Sequence, residues 1–357
     1  MSEQGPIRYG IVGLGRAGWA IHIRQLRERE DAQIVAVADP EAERRAEAEA
    51  EFGCACYDTI DGLLGDANVE VVVVATPSHL HARDTIAALR AGKDVIVEKP
   101  IGRDVDETDQ ILQVWRETGK HLFVHQSRRF SGDFWFLKEV IESGRIGELY
   151  HIRGYMSRFS RRNDWQTLRK FGGGLLNNHG SHFLDMIMAL LASPVRDVWG
   201  DLKQIASAGD VEDHVKALLR TVDGKTADVE ISMAENVASE LPTWIVCGTH
   251  GTVTVTKGEA TVRWYDGSKV APLEVDTGPA AGRSYGNDDV LPWQEEVVEA
   301  RGKRVMSFYD NVVGVLRRGQ AMHVTPESVR ELMRVLAAVR QGTGFEQEAV
   351  AEAGAGR

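Results

Sequence analysis

Residues 9–22 read YGIVGLGRAGWAIH, a short run of β-formers followed by a glycine-rich turn and the start of a helical pattern. The glycines have the G-x-G-x-x-G spacing that binds a dinucleotide when it joins a strand to a helix. The first allows the tight turn, the second lets backbone approach a pyrophosphate, and the third permits close helix–strand packing. The helix N-terminus then attracts the phosphates through its free N–H groups. The predicted cofactor-binding residues of this turn are Gly13, Gly15, Arg16, Ala17 and Gly18.

The next predicted strand, QIVAVAD, ends at Asp39, 21 residues after Gly18. A carboxylate at this place accepts hydrogen bonds from a ribose diol, which favours a dinucleotide site over a glycine bend without a ligand. The same carboxylate repels a 2′-phosphate, so NAD is the predicted cofactor. Arg44 and Arg45 follow closely enough to leave NADP open, although we interpret them as the solvated face of the next helix.

Outward from this turn, short β-branched runs alternate with helical patterns in the first third of the chain. Strands that are apolar on both faces need helices on both sides, which a doubly wound parallel sheet provides. The predicted fold class is therefore α/β, with a Rossmann dinucleotide-binding domain at residues 1–124. Strands are predicted in IRYGIVG, QIVAVAD, VEVVVVAT, DVIVEK and HLFVH, and helices at 16–29, 40–52, 79–91 and 104–118.

The pattern changes in residues 195–275, where strand-like segments alternate with the turn sequences VDGK, GTHG and YDGS. Such turns let neighbouring strands pair antiparallel through hairpins. Residues 125–342 are thus predicted to form an α+β domain with a large, mainly antiparallel open sheet, which binds substrate and supports oligomerisation. The chain is predicted to end in helices at 288–301, 307–320 and 326–341 and a flexible tail at 343–357.

The composition is that of a globular protein, with 357 residues, of which 43% are hydrophobic and 27% charged. A formal net charge of -11 disfavours a broad nucleic-acid or anionic-membrane surface, but not a small anionic ligand held locally. Cys54, Cys56 and Cys247 lack C-x-x-C spacing and are interpreted as reduced packing residues. Because the sequence shows neither a secretory leader nor a membrane-spanning apolar run, we expect a cytoplasmic protein.

Polar groups follow two predicted strands of the first domain, in the segments 76–81 and 98–100. Ligands of an open α/β sheet lie beyond the carboxyl ends of its strands, so both segments are expected to face the cofactor. Closure of the site over Lys99 would lower its pKa and let it exchange a proton with a hydroxyl, and a cis Lys99–Pro100 bond would fix its direction. A solvated lysine and capping histidines are the simpler alternatives. The predicted cofactor contacts here are Thr76, Pro77, His81, Glu98 and Lys99.

Three motifs of this sequence together resemble those of the Gfo/Idh/MocA family, which includes glucose-fructose oxidoreductase and inositol 2-dehydrogenase. The motifs are Gly13-x-Gly15-x-x-Gly18, Thr76-Pro77-x-x-x-His81 and Glu98-Lys99-Pro100. The resemblance extends over most of the chain, since the family also has a second domain with an open, largely antiparallel sheet. It implies an NAD(P)-dependent oxidoreductase acting on CH–OH groups of sugars, inositols or related cyclic polyols and glycosides.

The stretch GGGLLNNHGSHFLD, at 172–185, resembles the family's G-G-G-x-L-x-D-x-G-x-H-x-x-D segment, with Asn178 in place of the usual aspartate. On a helix over 178–190, Asn178, His182 and Asp185 would share one face. The resemblance implies that His182 is the catalytic base and that Lys99 polarises the substrate oxygen, although Lys99 can itself take the proton. Asn178 cannot ionise and is assigned to orienting the substrate.

Arginines and aromatic residues precede this segment in QSRRF and SRFSRRNDWQTLRKFGGG. Such side chains bind hydroxyls or a carboxylate and stack on a sugar ring, although a basic run is also typical of a solvated face. The resemblance places Arg128 close to the substrate. The predicted substrate-binding residues are Arg128, Arg161, Asn163, Trp165, Gln166, Asn178 and His182.

Several alternatives stay open at this point. His179, His182 and Asp185 could bind a metal or cap a helix, although no metal is predicted because the spacing lacks a complete zinc set. An enzyme could retain NAD through turnover for a redox-assisted elimination or glycoside cleavage. A nucleotide-sensing regulator is a further alternative, which the presence of both Lys99 and His182 disfavours. We also expect a homodimer or homotetramer, because an open apolar sheet face is commonly buried by self-association.

Overall fold

The computed structural model describes residues 5–238, 240–275, 277–278, 289–302 and 305–346. Residues 347–357, most of the predicted tail, lie outside these described residues. The described chain forms a six-stranded and an eight-stranded sheet with helices packed around them. The predicted α/β class, a Rossmann sheet followed by a second sheet, is confirmed. No helix within the described ranges is both long and apolar enough to cross a bilayer.

The first sheet is parallel throughout, as its β-branched runs predict. Its strands are β1 (Ile7–Val12), β2 (Ala32–Ala38), β3 (Ala55–Tyr57), β4 (Val71–Val74), β5 (Asp94–Val97) and β6 (Leu122–Val124). Their order is β3-β2-β1-β4-β5-β6, so the winding direction reverses between β1 and β4. The carboxyl ends of the strands beside such a reversal are where a ligand binds.

The helices that connect these strands confirm the four predicted segments and add a short one at Ile60–Leu64. The helix that follows β5 begins where the Asp104 carboxylate accepts the Glu107 N–H at 2.8 Å, and it ends at Gly119 with φ +64°. The five helices are α1 (Gly18–Ile23, with π-helical geometry, continued by Arg24–Leu26), α2 (Ala42–Phe52), α3 (Ile60–Leu64), α4 (His81–Arg90) and α5 (Val105–Thr118).

The second sheet is mainly antiparallel, as the hairpin turns predict. Its strands are β7 (Leu149–Ser157), β8 (Val195–Lys203), β9 (His214–Thr221), β10 (Thr226–Ser232), β11 (Trp244–Gly248), β12 (Gly251–Thr256), β13 (Glu259–Trp264) and β14 (Gln294–Glu299). The order is β14-β13-β12-β11-β7-β10-β9-β8, and β7 and β10 are its parallel pair. The outer strands therefore follow one another along the chain, whereas β7 is inserted at the centre.

The predicted helix at 288–301 is wrong, because Gln294–Glu299 forms the edge strand β14. This strand pairs antiparallel with β13, with Val298 opposite Ala260. The charge pattern of the segment LPWQEEVVEA fits either a helix or a strand. Pairing with the exposed edge of β13 decides for the strand. Its exposed glutamates suit an edge strand, because they discourage further pairing.

Four further helices accompany the second sheet and complete the chain. They are α6 (Gly132–Glu142), α7 (Ser181–Leu191), α8 (Phe308–Arg318) and α9 (Pro326–Arg340). Helix α7 packs on β7 at Gly154, where a side chain would come within 2.8 Å of Phe183. Helix α8 returns to the first sheet, since its Tyr309 ring lies 5.8 Å from that of Tyr9. The predicted helices at 307–320 and 326–341 are confirmed, whereas the domain boundary after residue 124 stays a prediction.

Candidate active site

The glycine turn between β1 and α1 has the geometry that a dinucleotide needs. Gly13 has φ +89°, which only glycine adopts readily. A side chain at Gly18 would lie 1.9 Å from the Gly13 carbonyl oxygen, so the third glycine is required for close packing. In contrast, a side chain on Gly15 would meet nothing within 4 Å. The turn therefore packs tightly against the protein on one side and leaves room for a ligand at Gly15, which fits a bound pyrophosphate.

Asp39 lies at the end of β2 beside this turn. Its Oδ2 accepts the Leu14 N–H at 2.7 Å and its Oδ1 accepts the Glu41 N–H at 2.9 Å. The carboxylate thus fixes the end of β2 against the glycine turn. The Arg45 guanidinium donates to the Asp39 carbonyl oxygen at 2.7 Å, whereas Arg44 reaches Oδ2 only at 3.5 Å. A ribose contact by Asp39 stays a prediction.

The turns after β4 and β5 are tied together by His81. Its Nδ1 lies 2.6 Å from the Pro100 carbonyl oxygen, and its Nε2 lies 2.8 Å from that of Thr76. The ring is buried, so it braces the two turns, and the predicted cofactor contact of His81 is not made by a free ring nitrogen. The Thr76 hydroxyl donates to the Asp84 carboxylate at 2.9 Å. The peptide bond between Lys99 and Pro100 is cis.

Glu98 points below the cleft, into a buried cluster of aromatic side chains. Its Oε1 lies 3.0 Å from His22 Nε2 and 2.8 Å from His125 Nδ1, and its Oε2 accepts the Lys99 N–H at 3.2 Å. The other ring nitrogen of His22 lies 2.8 Å from the Tyr309 hydroxyl. Burial alone would raise the pKa of Glu98, but the His125 and His22 imidazoles bring it well below its usual range. The carboxylate predicted to contact the cofactor therefore supports Lys99 from below.

Lys99 joins the two halves of the site. Its Nζ donates to the backbone carbonyl oxygen of Asn178 at 2.5 Å and lies 3.3 Å from the side-chain Oδ1. The Asn178 amide donates to Gln166 Oε1 at 3.4 Å, and Gln166 in turn accepts from Arg162 at 2.5 Å. Burial, with Arg16 and Arg128, lowers the pKa of Lys99 to about 8 against the opposing charge of Glu98. An amine with this pKa gains and loses a proton close to neutrality.

His182 lies in the first turn of α7, within the electric field of Lys99. Burial, then the charges of Lys99 and Arg128, hold its pKa well below its usual range. Its Nδ1 is buried with no hydrogen-bond partner in the described structure. Burial and Lys99 also lower the pKa of His179, to about 4. Both imidazoles are therefore neutral at neutral pH.

Like His182, Asp185 is not among the described residues that line the cleft with Lys99 and Asn178. It is 3% exposed, and its Oδ1 lies 3.3 Å from the Arg129 guanidinium. Burial raises its pKa to about 6, although Arg129 opposes this. The helical segment Leu176–Gly180 before α7 is widened to π-helical geometry, which changes the spacing that a regular helix over 178–190 would give.

The alternative in which His179, His182 and Asp185 hold a metal finds no support in the geometry. Among the described residues, the three side chains whose ligand atoms lie close enough together to hold one metal ion are those of His22, Glu98 and His125. In that cluster both imidazoles already hydrogen-bond to the carboxylate.

The predicted substrate residues are divided between the cleft and the surface. Trp165 and Gln166 line the cleft together with Lys99 and Asn178, whereas Arg128, Arg161 and Asn163 are exposed. Six further residues line the cleft, of which Ser78 and Pro100 belong to the two turns that were expected to face the cofactor. They are Ser78, Pro100, Gly172, Gly173, Gly174 and Asn177. The sequence signal for the three glycines is the GGG run itself, and the structure explains it by close contacts, since a side chain at Gly172 would approach Ser78 at 3.3 Å.

Two family models match this chain. The first, described as an oxidoreductase family with an NAD-binding Rossmann fold, matches residues 7–126. The second, described as a GFO/IDH/MocA C-terminal domain, matches residues 134–254. Together they include every strand of the first sheet and the cleft segments on both sides.

Similar proteins include an uncharacterized oxidoreductase of Schizosaccharomyces pombe, 34% identical over 53% of this chain and 53% of its own length. This chain thus spans about half the length of that relative. An inositol 2-dehydrogenase of Rhizobium meliloti is 32% identical over 63% of this chain and 68% of its own length. Among solved structures, an NAD-binding protein from Listeria innocua superposes with a TM-score of 0.79 at 27% identity, covering 95% of this chain and 98% of its own.

Proposed function

This chain belongs to the Gfo/Idh/MocA oxidoreductase family, and from that premise we propose that it is an NAD-dependent dehydrogenase or reductase of a sugar, inositol or related cyclic polyol or glycoside. The observation that carries the proposal is the contact of Lys99 Nζ with Asn178, which brings a titrating amine of the Rossmann half to the helical segment that leads into α7, the helix that bears His182. Bound NAD would supply the hydride acceptor for alcohol oxidation. Gly13, Gly15 and Asp39 would hold it.

The roles of the three side chains follow from their charge states. Lys99, with a pKa of about 8, takes the hydroxyl proton in oxidation when neutral and returns it in reduction when charged. His182, neutral at working pH, donates a hydrogen bond from its ring N–H to the reacting oxygen and so directs the hydroxyl toward Lys99. Asn178 accepts from the Lys99 ammonium and keeps its direction, while Gln166 holds the asparagine amide.

The pH profile should therefore depend on the residue at position 178. Alcohol oxidation needs the neutral amine, so its kcat should rise with pH and reach half its maximum near the Lys99 pKa of about 8. Asn178→Asp places a negative charge beside the ammonium, raises that pKa and moves the profile to higher pH by about 1 unit or more. The measurement is kcat against pH for both proteins. Asn68→Asp, on an exposed loop, is the control, and an unmoved profile in active Asn178→Asp would contradict the role of Lys99.

The enzyme class is tested by incubating purified protein with NAD or NADP and a series of sugars, inositols and glycosides. Net NADH formation with one member supports a dehydrogenase. Product without net NADH, from protein that keeps its NAD, would instead identify redox-assisted elimination or cleavage. Dinucleotide binding with no turnover of any compound would favour a nucleotide sensor.

We also propose a homodimer or homotetramer formed through the open face of the second sheet. Hydrogen-bonded neighbours across all eight strands place one row of side chains on this face: Trp199, Leu218, Asp228, Arg153, Ile245, Thr254, Thr261 and Val297. Trp199, Leu218 and Val297 are about half exposed, which favours burial against a second copy. The face is less apolar than the sequence predicts, since Arg153 pairs with Asp228 at 3.3 Å. Sedimentation showing only monomer at micromolar concentration would contradict this proposal.

A further inference from the structure

The glycine segment beside Lys99, residues 172–178, depends on distant side chains for its position. Its residues line the cleft, and it ends at Asn178, whose carbonyl oxygen accepts from the Lys99 amine at 2.5 Å. Residues 172–174 belong to no helix or strand, and Gly172 and Gly174 have φ of +73° and +109°. Regular backbone hydrogen bonds therefore do not fix this part of the cleft, and other groups must do so.

Asn177 is the side chain that binds the glycine carbonyl groups. It is 3% exposed, and its Nδ2 donates to the carbonyl oxygens of Gly172 at 3.1 Å and of Gly173 at 3.2 Å. It directly precedes Asn178, so the residue that holds the glycines also directs the backbone that follows. The family pattern G-G-G-x-L-x-D leaves position 177 unspecified, so the resemblance implies no role for this asparagine.

Arg340 orients the amide of Asn177. This arginine ends α9 and is 4% exposed, and its Nη2 donates to Asn177 Oδ1 at 2.7 Å. Because a guanidinium only donates, the amide oxygen must face it, and the amide nitrogen is left to face the glycines. A buried charge of this kind is costly, and an apolar side chain would often give equal stability. The structure places this charge where it controls the direction of an amide at the cleft.

Glu212 binds the same segment one residue earlier. It is 4% exposed, and its Oε1 accepts the Leu176 N–H at 2.9 Å. A side chain at Gly174 would lie 2.5 Å from this oxygen, so only glycine lets the carboxylate approach. Burial lowers the pKa of Arg340, and the negative charge of Glu212 opposes this effect. Two buried charges of opposite sign, one directly and one through an amide, thus hold adjacent residues of the segment.

We propose that Asn177 and Arg340 are positioning residues of the active site. They hold the Asn178 carbonyl oxygen at the Lys99 amine, and this inference rests on the proposed function. The oxygen accepts from the ammonium form, so it stabilises the charge and keeps the amine directed at the cleft. Without either side chain the glycine segment can shift, and a displacement of about 1 Å at a reacting group can slow a reaction by about a hundredfold.

Asn177→Leu and Arg340→Met test the proposal by replacing the two polar side chains with apolar ones of similar length. Each should lower kcat for NAD reduction with members of the sugar, inositol and glycoside series by about tenfold. The KM and the affinity for NAD should change little, because neither side chain belongs to the glycine turn that would hold NAD. Arg340→Lys keeps a charged donor and should recover most of the loss.

The pKa of the Lys99 amine provides a second measurement, which needs no substrate. Competitive acetylation of Lys99 against pH, followed by mass spectrometry, should give a pKa lower by about 1 unit in both apolar variants. The reason is that a weakened carbonyl contact stabilises the ammonium less. Loss of the Arg340 charge would by itself raise this pKa, so the sign of the shift separates positioning from a direct effect of charge.

Arg334→Met is the matched control. This arginine also lies on α9, but its Nη2 donates to the Val195 carbonyl oxygen at 2.8 Å, at the start of β8. The variant should lower the melting temperature at most, without moving kcat or the pKa of Lys99. If Arg340→Met does not fold because Glu212 keeps its buried charge, the double variant with Glu212→Gln removes both charges and gives the same test.

Folded Asn177→Leu and Arg340→Met proteins in which the pKa of Lys99 is unchanged or raised would overturn the inference, even if their melting temperatures fall. The two side chains would then serve stability alone. If the wild type turns over no sugar, inositol or glycoside, the proposed function fails, whereas the acetylation measurement still decides whether Asn177 and Arg340 position the amine.

Discussion

We expect the replacement of Lys99 with alanine to lower kcat for hydride transfer by about a thousandfold, with little change in NAD affinity. The loss is large because the amine is the titrating group of the cleft, with a pKa of about 8 and direct contacts to Asn178. The rise of kcat with pH should disappear in the same variant. Stopped-flow absorbance of NADH gives kcat, and calorimetry gives the affinity for NAD.

One further variant and a chemical rescue separate the loss of proton transfer from the loss of positive charge. Lys99→Arg keeps the positive charge but cannot lose its proton, so it should be nearly as slow as Lys99→Ala in alcohol oxidation. Added methylamine should restore part of the rate to Lys99→Ala but not to Lys99→Arg. Lys203→Ala, an exposed lysine on β8, is the control. Full activity in Lys99→Arg would show that only the charge matters.

The first sheet was predictable from sequence because its determinants are local. Each buried strand is a run of β-branched residues, and the glycine turn has its ligand geometry encoded in three positions. The residues that follow β4 and β5 could be placed at the ligand edge because parallel strands all end on one side of the sheet. The presence of Lys99 and Asn178 in one site needed the resemblance to a family as well, since 79 residues separate them.

The sequence could not show which of these polar groups point inward. Glu98 has its partners at positions 22 and 125, and only the packing of α1 against the end of β6 brings those imidazoles together. His81 looked like a cleft residue, but its ring spans two carbonyl oxygens of neighbouring turns. Asp185 was displaced from the predicted face by its pairing with Arg129, a residue 56 positions earlier. In each case a long-range partner determined the direction of the side chain.

These buried contacts explain why Lys99 is suited to its proposed role. Glu98 carries its charge below the cleft and binds the Lys99 backbone N–H, so the lysine amine itself has no carboxylate partner among the described residues. Direct pairing would have raised the pKa of Lys99 and kept it charged. The asparagine at position 178 likewise leaves the pKa of Lys99 low, because it accepts a hydrogen bond from the amine without adding a negative charge.

His182→Ala should lower kcat by about a hundredfold, a smaller loss than that of Lys99→Ala. The neutral imidazole directs the substrate hydroxyl but does not hold the proton, because its pKa lies well below the usual range through burial and the charges of Lys99 and Arg128. The half-maximum of kcat near pH 8 should therefore persist in this variant, whereas it disappears in Lys99→Ala. Steady-state kcat and KM across pH 6–10 provide the comparison.

His182→Gln sharpens the assignment, because glutamine keeps a hydrogen-bond donor for the reacting oxygen but cannot take up a proton. Its kcat should lie between those of the wild type and His182→Ala. His121→Ala is the control, since this histidine pairs with Asp94 at 3.1 Å, at the edge of the sheet away from the cleft. If His182→Gln were as slow as His182→Ala, and if both lost the pH dependence while Lys99→Ala kept it, the imidazole would be the base. Lys99 would then only polarise the oxygen.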